Sequence, residues 1–123
     1  MVRTSLVLTF AVALVLVVAT TAFGRTDAMK LKGTVGPGFS IKLTQNGHAV
    51  KTLKAGTYTF VVADRASIHN FTLEQEKGGK FEKDLTSVAF VGTKTVRVKL
   101  KAGKWKYYCT PHEATMHGFF TVK

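Results

Sequence analysis

Residues 95–112 read TVRVKLKAGKWKYYCTPH, and the alternation on either side of the glycine decides the fold. Val96, Val98 and Leu100 alternate with Arg97, Lys99 and Lys101, the pattern of a strand with one apolar and one solvated face. Gly103 breaks the run, and alternation resumes from Lys104. Trp105, Tyr107 and Cys109 fall on one face of the new strand, and Lys104, Lys106 and Tyr108 on the other. Lysines stay in water, so the Cys109 thiol is predicted to point into the core.

The same grammar extends in both directions. Phe39, Ile41 and Leu43 alternate with polar residues before Asn46-Gly47, a dipeptide suited to a tight hairpin turn. Tyr58, Phe60 and Val62 alternate with Thr57, Thr59 and Val61. Leu53-Lys54-Ala55-Gly56 introduces that run just as Leu100-Lys101-Ala102-Gly103 introduces the later one, which reads as one turn solution used twice. Lys77 to Asp84 is the most polar region and is expected to be a long loop. No stretch after residue 28 has helical periodicity of useful length. Short strands at this spacing predict an all-β fold, a Greek-key β-sandwich.

The first residues follow another logic. Arg3 precedes a run from Leu6 to Ala19 that is apolar apart from Thr9, and the small residues Ala22 and Gly24 follow. That order is expected of an export signal with its cleavage site. Residues 1–24 are therefore read as the signal and 25–123 as one domain, placed in the periplasm or outside the cell. Retention of the run as a membrane anchor is the alternative, although it is short for a spanning helix. Of 18 basic residues the signal removes only Arg3, leaving 17 against 7 acidic ones and a net charge of +10. Such a balance favours anionic partners or membrane surfaces. Nucleic acid is not expected, because no basic-aromatic nucleic-acid motif is present.

Cys109 is the only cysteine, so no internal disulfide is available to it. In an oxidising compartment a lone thiol should be buried and inert, paired between chains, or bound to a metal. Its neighbours favour the last. Thr110, Pro111 and His112 follow at once, then Met116, His117 and Gly118. Upstream, His69 shares the parity of Phe71 and Leu73 and is expected to face inward. Singly, Cys109 is a small buried hydrophobe, His69 a core histidine, His112 a loop residue and Met116 packing. Burial alone does not explain why Cys, His and Met crowd one short loop. Two histidines, a cysteine and a weak axial methionine are the ligand set of a blue-copper electron-transfer site. Zinc would also accept two histidines and a cysteine, but these residues lack zinc-finger spacing.

Tyr108-Cys109-Thr110-Pro111-His112, with Met116-x-Gly118 and the closing Phe120-x-Val122, resembles the copper loop of plastocyanin-like small blue copper proteins, the cupredoxin family. His69-Asn70 resembles their upstream His-Asn pair. The resemblance implies His69, Cys109 and His112 as equatorial ligands of one copper per chain, cycling between Cu(I) and Cu(II), with Asn70 bracing the loop. It also implies Met116 as the axial donor. The spacing departs from the pattern: three residues separate His112 from Met116, where plastocyanins have four and amicyanins two. Counting by the plastocyanin interval lands on His117 instead.

The expected function is one-electron transfer between redox partner proteins, some of them acidic, that dock near His112 on an apolar patch. Pro111, Met116 and Phe119 are the candidates for that patch. Copper storage or delivery is the alternative. No catalytic residues are assigned and no enzyme is expected, because the second copper site of copper oxidases would need histidines flanking Cys109 or a second cysteine. His48, in the Asn46-Gly47 turn, is expected to be exposed and unliganded. The chain is expected to be a monomer.

Overall fold

The computed structural model describes residues 29–123. The export signal assigned to residues 1–24 lies outside the described residues. Ten strands follow in chain order: β1 (Lys30–Val35), β2 (Ile41–Gln45), β3 (His48–Ala49), β4 (Thr52–Leu53), β5 (Gly56–Asp64), β6 (Thr72–Lys77), β7 (Glu82–Asp84), β8 (Gly92–Leu100), β9 (Gly103–Tyr108) and β10 (His117–Val122). They form two five-stranded sheets, ordered β3-β2-β1-β5-β8 and β4-β10-β9-β6-β7. Most pairs are antiparallel, while β1 lies parallel to β5 and β10 parallel to β4. This is the predicted β-sandwich.

Alternation places the core between the sheets. Leu31, Val35, Leu43, Phe60, Val62, Val98 and Leu100 point inward from the first sheet. Leu73, Trp105, Phe120 and Val122 meet them from the second. Asn46 and Gly47 both take positive φ, 50° and 80°, and close the β2–β3 hairpin.

The repeated Leu-Lys-Ala-Gly turn proves to be one device used in opposite directions. The first copy carries the chain from β4 in the second sheet to β5 in the first; the second carries it from β8 back to β9. In each, the aromatic residue two places after the glycine donates to the carbonyl two places before it. Tyr58 Oη bonds Lys54 O at 2.7 Å, and Trp105 Nε1 bonds Lys101 O at 2.9 Å. A buried aromatic with a polar tip must find such a partner, and the turn supplies it within the motif.

Three expectations need correction. Lys77 to Asp84 is a hairpin and not a long loop: β6 extends to Lys77, and Glu82–Asp84 pairs with it as an exposed edge strand. An edge strand made of charged residues has no apolar face to betray it. Tyr108 is buried although it shares a face with lysines. Its hydroxyl donates to Glu82 Oε1 at 2.7 Å, and the Lys106 ammonium lies 5.0 Å from its ring centre. Phe39 does not open an inward-facing run. The bond from Gly36 N–H to Ser40 O, 2.8 Å, closes a loop before β2, and the Phe39 side chain stays 63% exposed.

Candidate metal centre

Three loops meet at one end of the sandwich. The β9–β10 loop begins at Cys109, the last residue of an inward-facing series, whose thiol is fully buried. A 3₁₀ turn over Thr110–His112 folds back at once, with Pro111 at its start, where a missing N–H costs nothing. His112 N–H bonds Cys109 O, Met116 N–H bonds His112 O, and Cys109 N–H bonds Met116 O at 3.0 Å. The loop is thereby cinched at both ends on the cysteine.

The second contribution comes from the segment before β6. His69 is buried, its N–H held by Ala66 O, and its ring reaches the loop. Asn70 ties the segments together. Its Oδ1 accepts the Thr110 N–H at 2.8 Å and the Thr110 hydroxyl at 3.2 Å, while its Nδ2 donates to Thr72 Oγ1. Thr72 in turn donates to Asp84 Oδ1 at 2.6 Å. A buried amide with its oxygen and nitrogen both engaged holds the two segments in one register.

The result is a compact triangle of donors. His69 Nδ1 and His112 Nδ1 lie 3.0 Å apart, and Cys109 Sγ stands 3.6 Å from the first and 3.7 Å from the second. These separations leave room for one ion at ordinary bonding distances, about 2.0 Å from each imidazole nitrogen and about 2.3 Å from the sulfur. Two imidazoles and a thiolate suit copper in both its common oxidation states. Behind them the buried Asp64 has an oxygen, Oδ2, with no hydrogen-bond partner among the described residues. Burial pushes its carboxyl above the ordinary carboxylate range, opposed by hydrogen bonds from Thr86 and Ala66 and by the charge of His69.

Two more of the predicted residues, Met116 and His117, stand where the β9–β10 loop runs into β10. Met116 is fully buried beside the cysteine, in the core cluster that also contains Cys109. His117 is exposed, with Nδ1 2.7 Å from Glu113 O, and is not in the converging group. His48 is exposed at the β2–β3 turn and is likewise outside it. Of the three converging residues only His112 is partly exposed. The apolar surface beside it differs from expectation. Met116 has no exposed surface, and Phe119 lies on the outer face of the second sheet beneath Lys104 and Lys106. The residue actually covering the imidazoles is Phe39, its ring edge-on to His69 at 5.2 Å and to His112 at 5.0 Å. Gly36-Pro37-Gly38 ahead of it signals a loop, but nothing in the order of residues shows where that loop closes.

Gly118 has a plain geometric reason. It lies opposite Tyr107 in the β9–β10 pairing, and a Cβ there would sit 2.2 Å from the tyrosine ring. The ring instead stacks on Phe71 at 5.7 Å, on the core side of the metal loop.

Comparison with known proteins agrees with this geometry. The family model described as copper binding proteins, plastocyanin/azurin family, matches residues 39–123. No curated protein sequence matches the chain. Among solved structures, reduced rusticyanin superposes with a TM-score of 0.53 at 21% identity, over 76% of this chain and 78% of that one. An amicyanin variant in its Cu(I) form gives 0.50 at 17% identity, over 77% and 83%. With the family matched over most of its length and a two-histidine, one-cysteine cluster at the end of the sandwich, the chain belongs to the plastocyanin/azurin family as a small blue copper protein that takes one copper ion.

Proposed function

We propose that this protein is an exported one-electron carrier in which His69, Cys109 and His112 would hold copper, with the Met116 thioether as a fourth, weaker donor. The observation that carries the reading is the convergence of two imidazole nitrogens and a buried thiol within 3.7 Å of one another. Copper bound there supplies a one-electron couple between Cu(I) and Cu(II). The chain's own residues keep the site still while that couple turns over. Asn70 and the Cys109–Met116 backbone bond resist any opening of the loop, and Phe71 and Tyr107 pack behind it. Small displacement between oxidation states is what fast electron transfer requires. The partly exposed His112 edge, flanked by Phe39 and Pro111, is the route by which a redox partner would reach the metal. Residues 1–24 would direct export, leaving 25–123 as the working domain.

Cycling the copper-loaded protein at an electrode tests this reading. A reversible one-electron wave and slow loss of copper to a competing chelator in both oxidation states are expected. Rapid release in one state together with an irreversible wave would mean copper delivery instead.

The axial assignment has its own test, because the loop spacing also points to His117. Met116→Leu removes a weak, long bond, so the protein should stay blue with a raised reduction potential. His117→Ala should leave the visible spectrum nearly unchanged, since that ring is exposed and its Nδ1 is engaged by Glu113 O. A large spectral shift in His117→Ala and none in Met116→Leu would reverse the assignment.

A further inference from the structure

Among the described residues, the exposed carboxylates are confined to one of the two sheets. Among the described residues, Glu74 and Glu76 stand on β6, Glu82 and Asp84 on β7, and Glu113 in the β9–β10 loop, all in or beside the second sheet. The remaining carboxylate, Asp64, is buried. Among the described residues the outer face of the first sheet thus carries no carboxylate. It exposes Lys30 and Lys32 from β1, Lys42 from β2, and Arg97 and Lys99 from β8.

The register spreads these cations without placing any two directly opposite. Lys32 pairs with Thr44, Lys42 with Thr34, Arg97 with Thr59 and Lys99 with Thr57. Directly opposed like charges destabilise a sheet, and alternation with threonine avoids that cost while keeping the whole face positive. Between β1 and β2 the face dips into a shallow groove lined by Lys30, Lys32, Thr34, Lys42 and Thr44.

The make-up of this face indicates what it meets. None of the exposed large apolar side chains, Phe39, Ile68, Val88, Val91 and Phe119, lies on it. Protein partners draw most of their binding energy from buried aromatic or apolar anchors, and this face offers none. A bilayer rich in anionic headgroups needs only a broad positive surface.

We propose that the outer face of the first sheet lays the domain flat on an anionic lipid bilayer, with Lys32, Lys42, Arg97 and Lys99 as its principal charges. The copper loops sit at the end of the sandwich, not on this face. The His112 edge would therefore stay open, parallel to the membrane, to partners held in the same bilayer. The inference does not depend on which residues bind copper.

The test uses the copper-loaded protein with its native N-terminus. It is mixed with vesicles containing phosphatidylglycerol or with vesicles of phosphatidylcholine alone, then footprinted by lysine acylation and mass spectrometry. On anionic vesicles Lys30, Lys32, Lys42 and Lys99 should react about fivefold more slowly or less, and high salt should restore their reactivity. Lys80 and Lys83, on the other sheet, should be unaffected, and neutral vesicles should protect none of the six. A second arm reverses four charges. Lys32→Glu, Lys42→Glu, Arg97→Glu and Lys99→Glu together should weaken anionic-vesicle binding at least roughly tenfold more than the same change at Lys80, Lys83, Lys104 and Lys123. Retention of the visible colour in both variants reports that the fold is intact. Uniform protection of all lysines, or equal loss in the two variants, would reduce the effect to net charge and overturn the proposal. Failure to bind anionic vesicles, with capture of an acidic protein through these same residues, would overturn it in favour of a protein partner.

Discussion

Cys109→Ser is expected to abolish the visible absorption of the Cu(II) protein and to weaken copper binding by at least about a hundredfold, while leaving the apo fold in place. The colour of such a site arises from charge transfer between thiolate sulfur and Cu(II). A serine hydroxyl stays protonated near neutrality and has no comparable donor orbital. Serine is close to cysteine in size, so a void is not the issue. The contacts that set the loop are made by backbone and by other side chains: Cys109 N–H to Met116 O, Met116 N–H to His112 O, and Thr110 N–H to Asn70 Oδ1. All survive the substitution. The cost to the copper-free fold should be only about 1–3 kcal/mol, from burying a hydroxyl where a thiol had been content. Thermal unfolding of the apo protein separates this from a folding defect. A variant that keeps its colour would show that the thiol is not a ligand, and the converging triangle would need another explanation.

Parity along a strand was enough to read the direction of the Cys109 side chain, because Trp105 and the lysines around it leave only one orientation compatible with water. The Asn46-Gly47 turn and the paired Leu-Lys-Ala-Gly turns were legible for a similar reason: their chemistry is local. The crowding of Cys109, His112 and Met116 was visible because three donor-bearing residues share eight positions. What escaped was set by contacts between distant segments. Tyr108 is buried by Glu82, 26 positions away. Phe39 reaches both imidazoles only because the loop ahead of β2 folds toward the end of the sandwich where two other loops arrive. Asp64 alternates correctly with Val62 and Phe60 and so reads as an ordinary strand terminus. That it is buried with its second oxygen unpartnered is a matter of packing, which the alternation does not reveal. Local pattern thus foretold the sandwich and the meeting of His69, Cys109 and His112, and long-range packing decided what surrounds them.

The two copies of the Leu-Lys-Ala-Gly turn allow a controlled comparison, in which Gly103→Ala is expected to be severely destabilising and Gly56→Ala mild. Both glycines have φ in the range that disfavours other residues, 149° and 158°, so the backbone cost is nearly common to the two. Their surroundings differ. A Cβ on Gly56 would meet only the Met29 Cε at 3.2 Å, the free end of a flexible side chain. One on Gly103 would lie 2.0 Å from the Lys77 carbonyl oxygen and 2.9 Å from Gln75 Nε2. Here the turn is pressed against β6, where the β6–β9 pairing shifts register between Gln75 and Lys77. Gly78 completes the close approach, its own Cβ position 2.6 Å from Ala102 O and 3.2 Å from the Gly103 Cα. Backbone cannot rotate aside as a side chain can. Alanine at 103 must therefore push β6 away from β9 and break the Gln75 bond to Ala102 O. The expected loss is about 3 kcal/mol or more, against about 1 kcal/mol for Gly56→Ala. In a domain of this size that difference corresponds to a melting temperature lower by roughly 8 °C or more, measured on the copper-free proteins. Copper should still bind to whatever fraction of Gly103→Ala folds, because Cys109 lies at the far end of β9. Equal destabilisation by the two substitutions would mean that the second turn is not packed on Lys77, and that its glycine answers only to backbone conformation.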